Sequence, residues 1–136
     1  MSIRLAEANR AIRAALAKAQ SLDLSVSVTV CDADGRLVAF QRMDGAIAEA
    51  DRASIGKAIA SARSGRPSGD GLIEDLEEFR AATVLGEGVP LLRRAGGLPI
   101  IRAGQVEGAL GVGGARTDEQ DAVCAVAGIG TLDELT

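Results

Sequence analysis

Leu24-Ser25-Val26-Ser27-Val28-Thr29-Val30-Cys31, then the turn residues Asp32-Ala33-Asp34-Gly35, then Leu37-Val38-Ala39-Phe40-Gln41-Arg42 is the stretch that decides the fold class. Its first part alternates apolar and polar side chains at period two, which predicts a half-buried strand. Asp and Gly in the middle suit a tight turn, and the second run predicts the returning strand of a hairpin. Hairpins imply antiparallel pairing, so the sheet is not a doubly wound parallel one.

Outward from this hairpin the period changes. Upstream, Leu5, Ala8, Ile12, Ala15, Leu16 and Ala19 recur at helical spacing, with Glu7, Arg10, Arg13 and Lys18 off that stripe. They predict an amphipathic helix over 3–21, favoured by its alanines. Downstream, Ile55, Ala58, Ile59 and Ala62 predict a helix over about 50–63, ended by the Gly- and Pro-bearing loop 65–71. Leu72, Ile73, Leu76 and Phe79 suggest a further short helix with an acidic, solvated outer face, and 89–92 a short edge strand around Pro90. Leu98 to Arg102 and Val106 to Val112 predict a second hairpin about Ala103-Gly104-Gln105. Thr117 and Gln120 form a capping-box pattern that opens a helix reaching about Ala127. The expectation is therefore α+β: one domain over 1–136, a central antiparallel sheet flanked by helices.

Composition narrows the function. A chain of 136 residues has room for one ordinary core. Its hydrophobic fraction is 47%, but Phe40 and Phe79 are the only aromatics, so the core is built of small aliphatics. Such a core buries modest area per residue, and burial between subunits is expected to complete its stability. A net charge of −4 and a pI near 4.8 argue against a nucleic-acid partner. No apolar run approaches the roughly 20 residues needed to span a bilayer, and the charged N-terminus is no signal peptide. Cys31 and Cys124 read as buried thiols rather than a disulfide, and the expected address is cytoplasmic.

The chain contains no histidine. Ser-His-Asp triads, Cys-His pairs and His-containing zinc sites are excluded, and no metal site is expected. Carboxylate, lysine, arginine and thiol chemistry remains. Arg42 and Asp44, where a strand ends and the chain turns, either hold and orient a ligand carboxylate or pair to fix the turn. Lys57, with Arg63 further along its helix, is either a Schiff-base amine or anion contact, or a stem on the core edge with its ammonium in water. The backbone around Gly96, Gly97 and Pro99 and the run containing Gly111 and Gly113 can line a small-ligand pocket or simply permit close packing. They lack the Lys-Ser/Thr of a phosphate loop. Glu107 is a candidate acid or base that alternation places outward. Asp121 suits the first turn of the last helix, where it complements the dipole.

Four blocks resemble the GlcG/HbpS-like "haem-degrading domain" family. They are Val30 to Phe40 with Arg42-Met43-Asp44-Gly45-Ala46; Lys57-Ala58; Gly96-Gly97-Leu98-Pro99-Ile100; and Gly108-Ala109-Leu110-Gly111-Val112-Gly113-Gly114-Ala115 with Asp121 beyond. In order and spacing they cover nearly the whole chain. The resemblance implies a profilin-like domain that assembles as a homo-oligomer, a dimer, tetramer or octamer. It also implies roles in haem binding or degradation, beside glycolate oxidation, or as a module of a corrinoid adenosyltransferase. Haem-binding members are expected to use a histidine ligand, so haem is disfavoured here, with Met43, Cys31, Cys124 or a lysine as the substitutes. The expected function is binding of a small anionic organic molecule, as an enzyme or accessory factor of metabolism. The alternative is a haem-binding or haem-sensing module without turnover.

Overall fold

The computed structural model describes residues 2–70 and 92–132. The helix expected from Leu72, Ile73, Leu76 and Phe79 lies outside the described residues, as does the expected strand at 89–92 apart from Leu92. The Leu92 amide donates to the Gly56 carbonyl (3.1 Å) and belongs to no strand. In chain order the described elements are α1 (Leu5–Ser21), β1 (Ser27–Asp32), β2 (Leu37–Arg42), α2 (Ala50–Ser64), β3 (Gly97–Arg102), β4 (Gln105–Gly113) and α3 (Asp118–Ile129). The four strands form one antiparallel sheet in the order β2-β1-β4-β3. The α+β expectation holds.

Both hairpins close where turn chemistry places them. Asp32 Oδ1 accepts from the Asp34 and Arg36 amides (2.9 Å each), and Gly35 takes a left-handed φ of 82°. At the second turn Ala103 and Gly104 both have positive φ, 50° and 75°, the pairing a two-residue hairpin turn requires. Pro99 sits on β3, an edge strand, where its missing N–H leaves no ladder gap.

The sheet is covered on both faces, and this corrects the half-buried reading of β1. Val26, Val28, Val30, Leu110 and Val112 pack with α1 and α3 into the main core, together with Ala8, Ile12 and Ala15. Ser27, Thr29 and Cys31 face the other way and are equally buried, because α2 lies on them. Their polar atoms are satisfied by that helix: Ser27 Oγ donates to Asp51 Oδ1 (2.7 Å), and Thr29 Oγ1 and Ser54 Oγ share a hydrogen bond of 2.8 Å. A buried polar side chain is tolerated when it is paired in this way.

The glycines of β4 make room for α2. A Cβ on Gly111 would lie 2.6 Å from the Ala58 nitrogen, and one on Gly113 would lie 2.7 Å from the Ala50 oxygen. Small residues on the helix and no side chain on the strand bring the two backbones together. Gly111 and Gly113 are therefore packing surfaces under α2, which corrects their reading as pocket-lining residues.

Glu107 also departs from the outward placement that alternation predicts. The β3–β4 register steps from Ile100↔Gly108 to Ile101↔Val106, so Glu107 is the extra residue of a bulge. A bulge re-aims the side chain it carries. Glu107 is buried rather than outward, and it accepts from Arg102 Nη1 (3.1 Å). The same guanidinium donates to both Glu7 carboxylate oxygens, tying α1 to the second hairpin.

Candidate functional site

The N-terminal turns of α2 and α3 meet at the end of the sheet where β3 begins and β4 ends. Between them lies a cavity of about 120 Å³, lined among others by Ala50, Ala53, Lys57, Arg94, Asp118 and Asp121. Helical periodicity puts Lys57 on the sheet side of α2, and its arm runs along Gly96. A Cβ on Gly96 would lie 2.9 Å from both Lys57 Cδ and Nζ, and Gly96 holds φ at +131°, a conformation that favours glycine.

The Lys57 side chain is 2% exposed, which corrects the picture of an ammonium reaching water. Its Nζ donates to Asp121 Oδ2 (2.8 Å) and to the Val112 carbonyl (3.1 Å). Asp118 Oδ1 stands 3.7 Å away on the third side. Held in hydrogen bonds to Asp121 and the Val112 carbonyl, this nitrogen is committed to two acceptors and poorly placed to attack a carbonyl. The Schiff-base reading therefore loses its footing.

Asp121 reaches Lys57 from the first turn of α3. Thr117 caps that helix through its side chain, accepting from the Gln120 amide (3.2 Å), and so sets the first-turn residues toward the cavity. Asp121 Oδ1 accepts from the Ala115 amide (3.0 Å), leaving Oδ2 for Lys57. Burial pushes the Asp121 carboxyl above its ordinary pKa, and the Lys57 hydrogen bond opposes that rise only in part. Asp118 makes a second pair at the rim, accepting from Arg94 Nε (3.0 Å) while Arg94 Nη2 stands 3.0 Å from its other oxygen. Those contacts hold the Arg94 guanidinium above its ordinary pKa. Arg116 lines the same cavity and is exposed, with no ion pair among the described residues.

Of the residues singled out in the sequence, Lys57 and Asp121 line this cavity, and Gly96 packs against the Lys57 arm behind it. Gly97 is next to it, with its amide donating to Ser68 Oγ (2.8 Å), and serves the packing of β3 against α2. Arg42 is elsewhere. Its strand, β2, is two strand spacings from β4, about 10 Å. Its exposed guanidinium faces Asp51 (3.8 Å) rather than Asp44, so the expected Arg42–Asp44 pair is replaced by a link from β2 to α2. Asp44 is exposed in the turn before α2, and Arg63 is exposed in the last turn of α2, six residues or about 9 Å of helix rise beyond Lys57. Met43 packs against the core, and its sulfur accepts the Val26 amide (3.3 Å). Pro99 and Glu107 lie away from the cavity. Sequence reasoning missed Arg94 and Asp118, and placed Asp121 without its partner. The one available signal was the capping pattern at Thr117, which marks 118–121 as a helix start but names no lysine 64 positions upstream.

Both cysteines are buried and unbridged; burial pushes the Cys31 thiol up to about 12 and Cys124 upward as well. Among the described residues no three His, Cys, Asp or Glu side chains converge as metal ligands, and no helix is long and apolar enough to cross a membrane.

This geometry can be set beside known proteins. The profile of the haem-degrading HbpS-like proteins matches residues 3–130. The chain belongs to the HbpS-like family. Among solved structures it is similar to a double mutant of Streptomyces reticuli HbpS, at 27% identity and a TM-score of 0.84, covering 98% of this chain and 89% of that one. It is also similar to Klebsiella pneumoniae ORFY, at 27% identity and a TM-score of 0.75, covering 96% and 92% of the two chains. A PduOC–haem complex shares the fold at 22% identity and a TM-score of 0.80, covering 98% and 96%. No curated protein matches the chain.

Proposed function

We propose that this HbpS-like protein binds a small organic anion in the cavity between α2 and α3, as an enzyme or accessory factor of metabolism. One observation carries the reading: the inner wall of the cavity is a buried ammonium, Lys57, with Arg94 and Arg116 at the rim. The amide-bearing first turns of two helices converge on the same space, and their dipoles favour negative charge there. The buried, unbridged thiols support a cytoplasmic address.

A family described as haem-degrading favours a second reading, a haem-binding module. Most candidate donors in this chain argue against an axial iron ligand, the exposed Lys18 being the exception. Histidine is absent, Cys31 and Cys124 are buried, the Met43 sulfur takes the Val26 amide, and Lys57 is committed to Asp121. Titrated haemin is expected to give no sharp, saturable Soret band, and a tight stoichiometric complex would turn the assignment to haem.

The anion reading is tested by screening small organic acids for thermal shift and ligand-observed NMR signals. Wild type and Arg42→Ala should respond alike. The double variant Lys57→Met/Asp121→Leu, which removes both buried charges, should fold and not respond. A retained response in that variant, or none in wild type, overturns the reading.

A further inference from the structure

Resting on the anion-binding reading, we infer that Asp118 is a built-in competitor for the ligand, and that the ligand group it imitates is a carboxylate. Arg94 offers Asp118 a two-pronged grip, Nε to Oδ2 and Nη2 to Oδ1, each 3.0 Å. That planar fork matches a carboxylate, and the group now seated in it is one, the Asp118 side chain. The same Oδ1 stands 3.7 Å from Lys57 Nζ, too far for a hydrogen bond. Lys57 has three N–H groups, and Asp121 and Val112 account for two. The third belongs to a group 2% exposed and is left to an acceptor that falls short of it, which is costly in a desolvated setting.

A free carboxylate seated slightly deeper than that of Asp118 would satisfy both cations, taking the Arg94 fork and the third Lys57 proton. The pair it must displace is open to solvent: the Arg94 side chain is 62% exposed and that of Asp118 30%. Exposed pairs of this kind are weak and exchange readily. The ligand's apparent affinity is then its intrinsic affinity reduced by the fraction of molecules in which Asp118 has let go. Asp118 thus sets a threshold concentration below which the site stays closed by its own side chain.

The test uses the full chain and three probes: acetate, propionate, and acetamide as the neutral isostere, titrated by NMR. Asp118→Asn should tighten acetate and propionate by about three- to tenfold and leave acetamide unchanged. Glu119→Gln removes the same charge one residue along, without touching Arg94, and should change acetate affinity by less than about twofold. Arg94→Lys should weaken acetate and cancel the gain when combined with Asp118→Asn. Should Asn disturb the start of α3, Asp118→Ser keeps a helix-start residue and repeats the measurement. Carboxylate binding with no gain in the Asp118 variants, or an equal gain in Glu119→Gln, overturns the competitor role alone. Absence of carboxylate binding in wild type and all variants overturns it together with the anion-binding reading.

Discussion

The Lys57 ammonium lies 2.8 Å from the Asp121 carboxylate, so a charge from α2 and a charge from α3 meet inside the protein rather than at its surface. Each is nearly fully buried, at 2% and 4% side-chain exposure. A pair of this kind makes its partners dependent on each other: either charge left alone in the interior costs far more than the pair contributes.

Lys57→Met should therefore destabilise the protein by about 3–5 kcal/mol, while Lys57→Met/Asp121→Leu should recover most of that loss. Denaturant unfolding of the single and double variants measures both. Equal destabilisation in single and double variants would show that the two side chains do not act as a unit. The single variant carries a pH signature too. Without Lys57 the Asp121 carboxyl loses the hydrogen bond and the nearby charge that oppose its burial, and rises further. A carboxyl raised in the folded state gives stability that is lost as pH climbs. The deficit of Lys57→Met against wild type should be smaller near about pH 5 than near about pH 8.

The opposite sign applies at Glu7. Its carboxyl is held below its ordinary pKa first by the hydrogen bond from Arg102. A depressed carboxylate contributes stability that is present above its unfolded pKa, about 4.3, and lost as pH falls through the lower folded value. Arg102→Gln should flatten the fall in melting temperature below about pH 4.5 and lower stability at neutral pH. An acid profile parallel to wild type would show that the cluster of Glu7, Arg102 and Glu107 does not contribute.

Gly96→Ala should destabilise for two separate reasons. The backbone holds a φ of +131°, a conformation costly to a residue with a Cβ, by about 1–3 kcal/mol. The added methyl would also stand 2.7 Å from the Val112 carbonyl and 2.9 Å from the Lys57 nitrogen that the carbonyl holds, displacing one or both. Gly104→Ala is the matched control: φ is positive at 75°, but nothing lies within 4 Å. The Gly96 variant should lose clearly more stability and weaken anion binding, whereas Gly104→Ala should leave binding intact. Equal losses at both positions would mean that backbone strain alone matters.

Self-assembly is the last expectation. The core is poor in aromatics, and α3 exposes Val123 and Val126, 44% and 60% accessible, on the face away from the sheet. Light scattering at micromolar concentration should find at least a dimer, and Val126→Glu should shift the population toward monomer. A monomer at every concentration would end this expectation.

What the sequence determined by itself were the features that depend on neighbours close in the chain. Alternation at Val26, Val28 and Val30, helical spacing in Leu5 to Ala19, and turn chemistry at Gly35 and Gly104 are local, and the elements formed where those patterns lie. The same patterns imply two hairpins and hence an antiparallel sheet. The tertiary structure decided whatever joins distant residues. Burial of Ser27 and Thr29 required α2 on the second face of the sheet, and β1 alone carries no sign of it. Glu107 turned inward because one residue of β4 is left over in the pairing with β3, a property of two strands rather than one. Lys57 and Asp121 are 64 positions apart, and nothing near either names the other. Periodicity tells which face of an element is buried; it does not tell which buried charge will answer it, because that is set by how helices cross a sheet whose glycines let them come close.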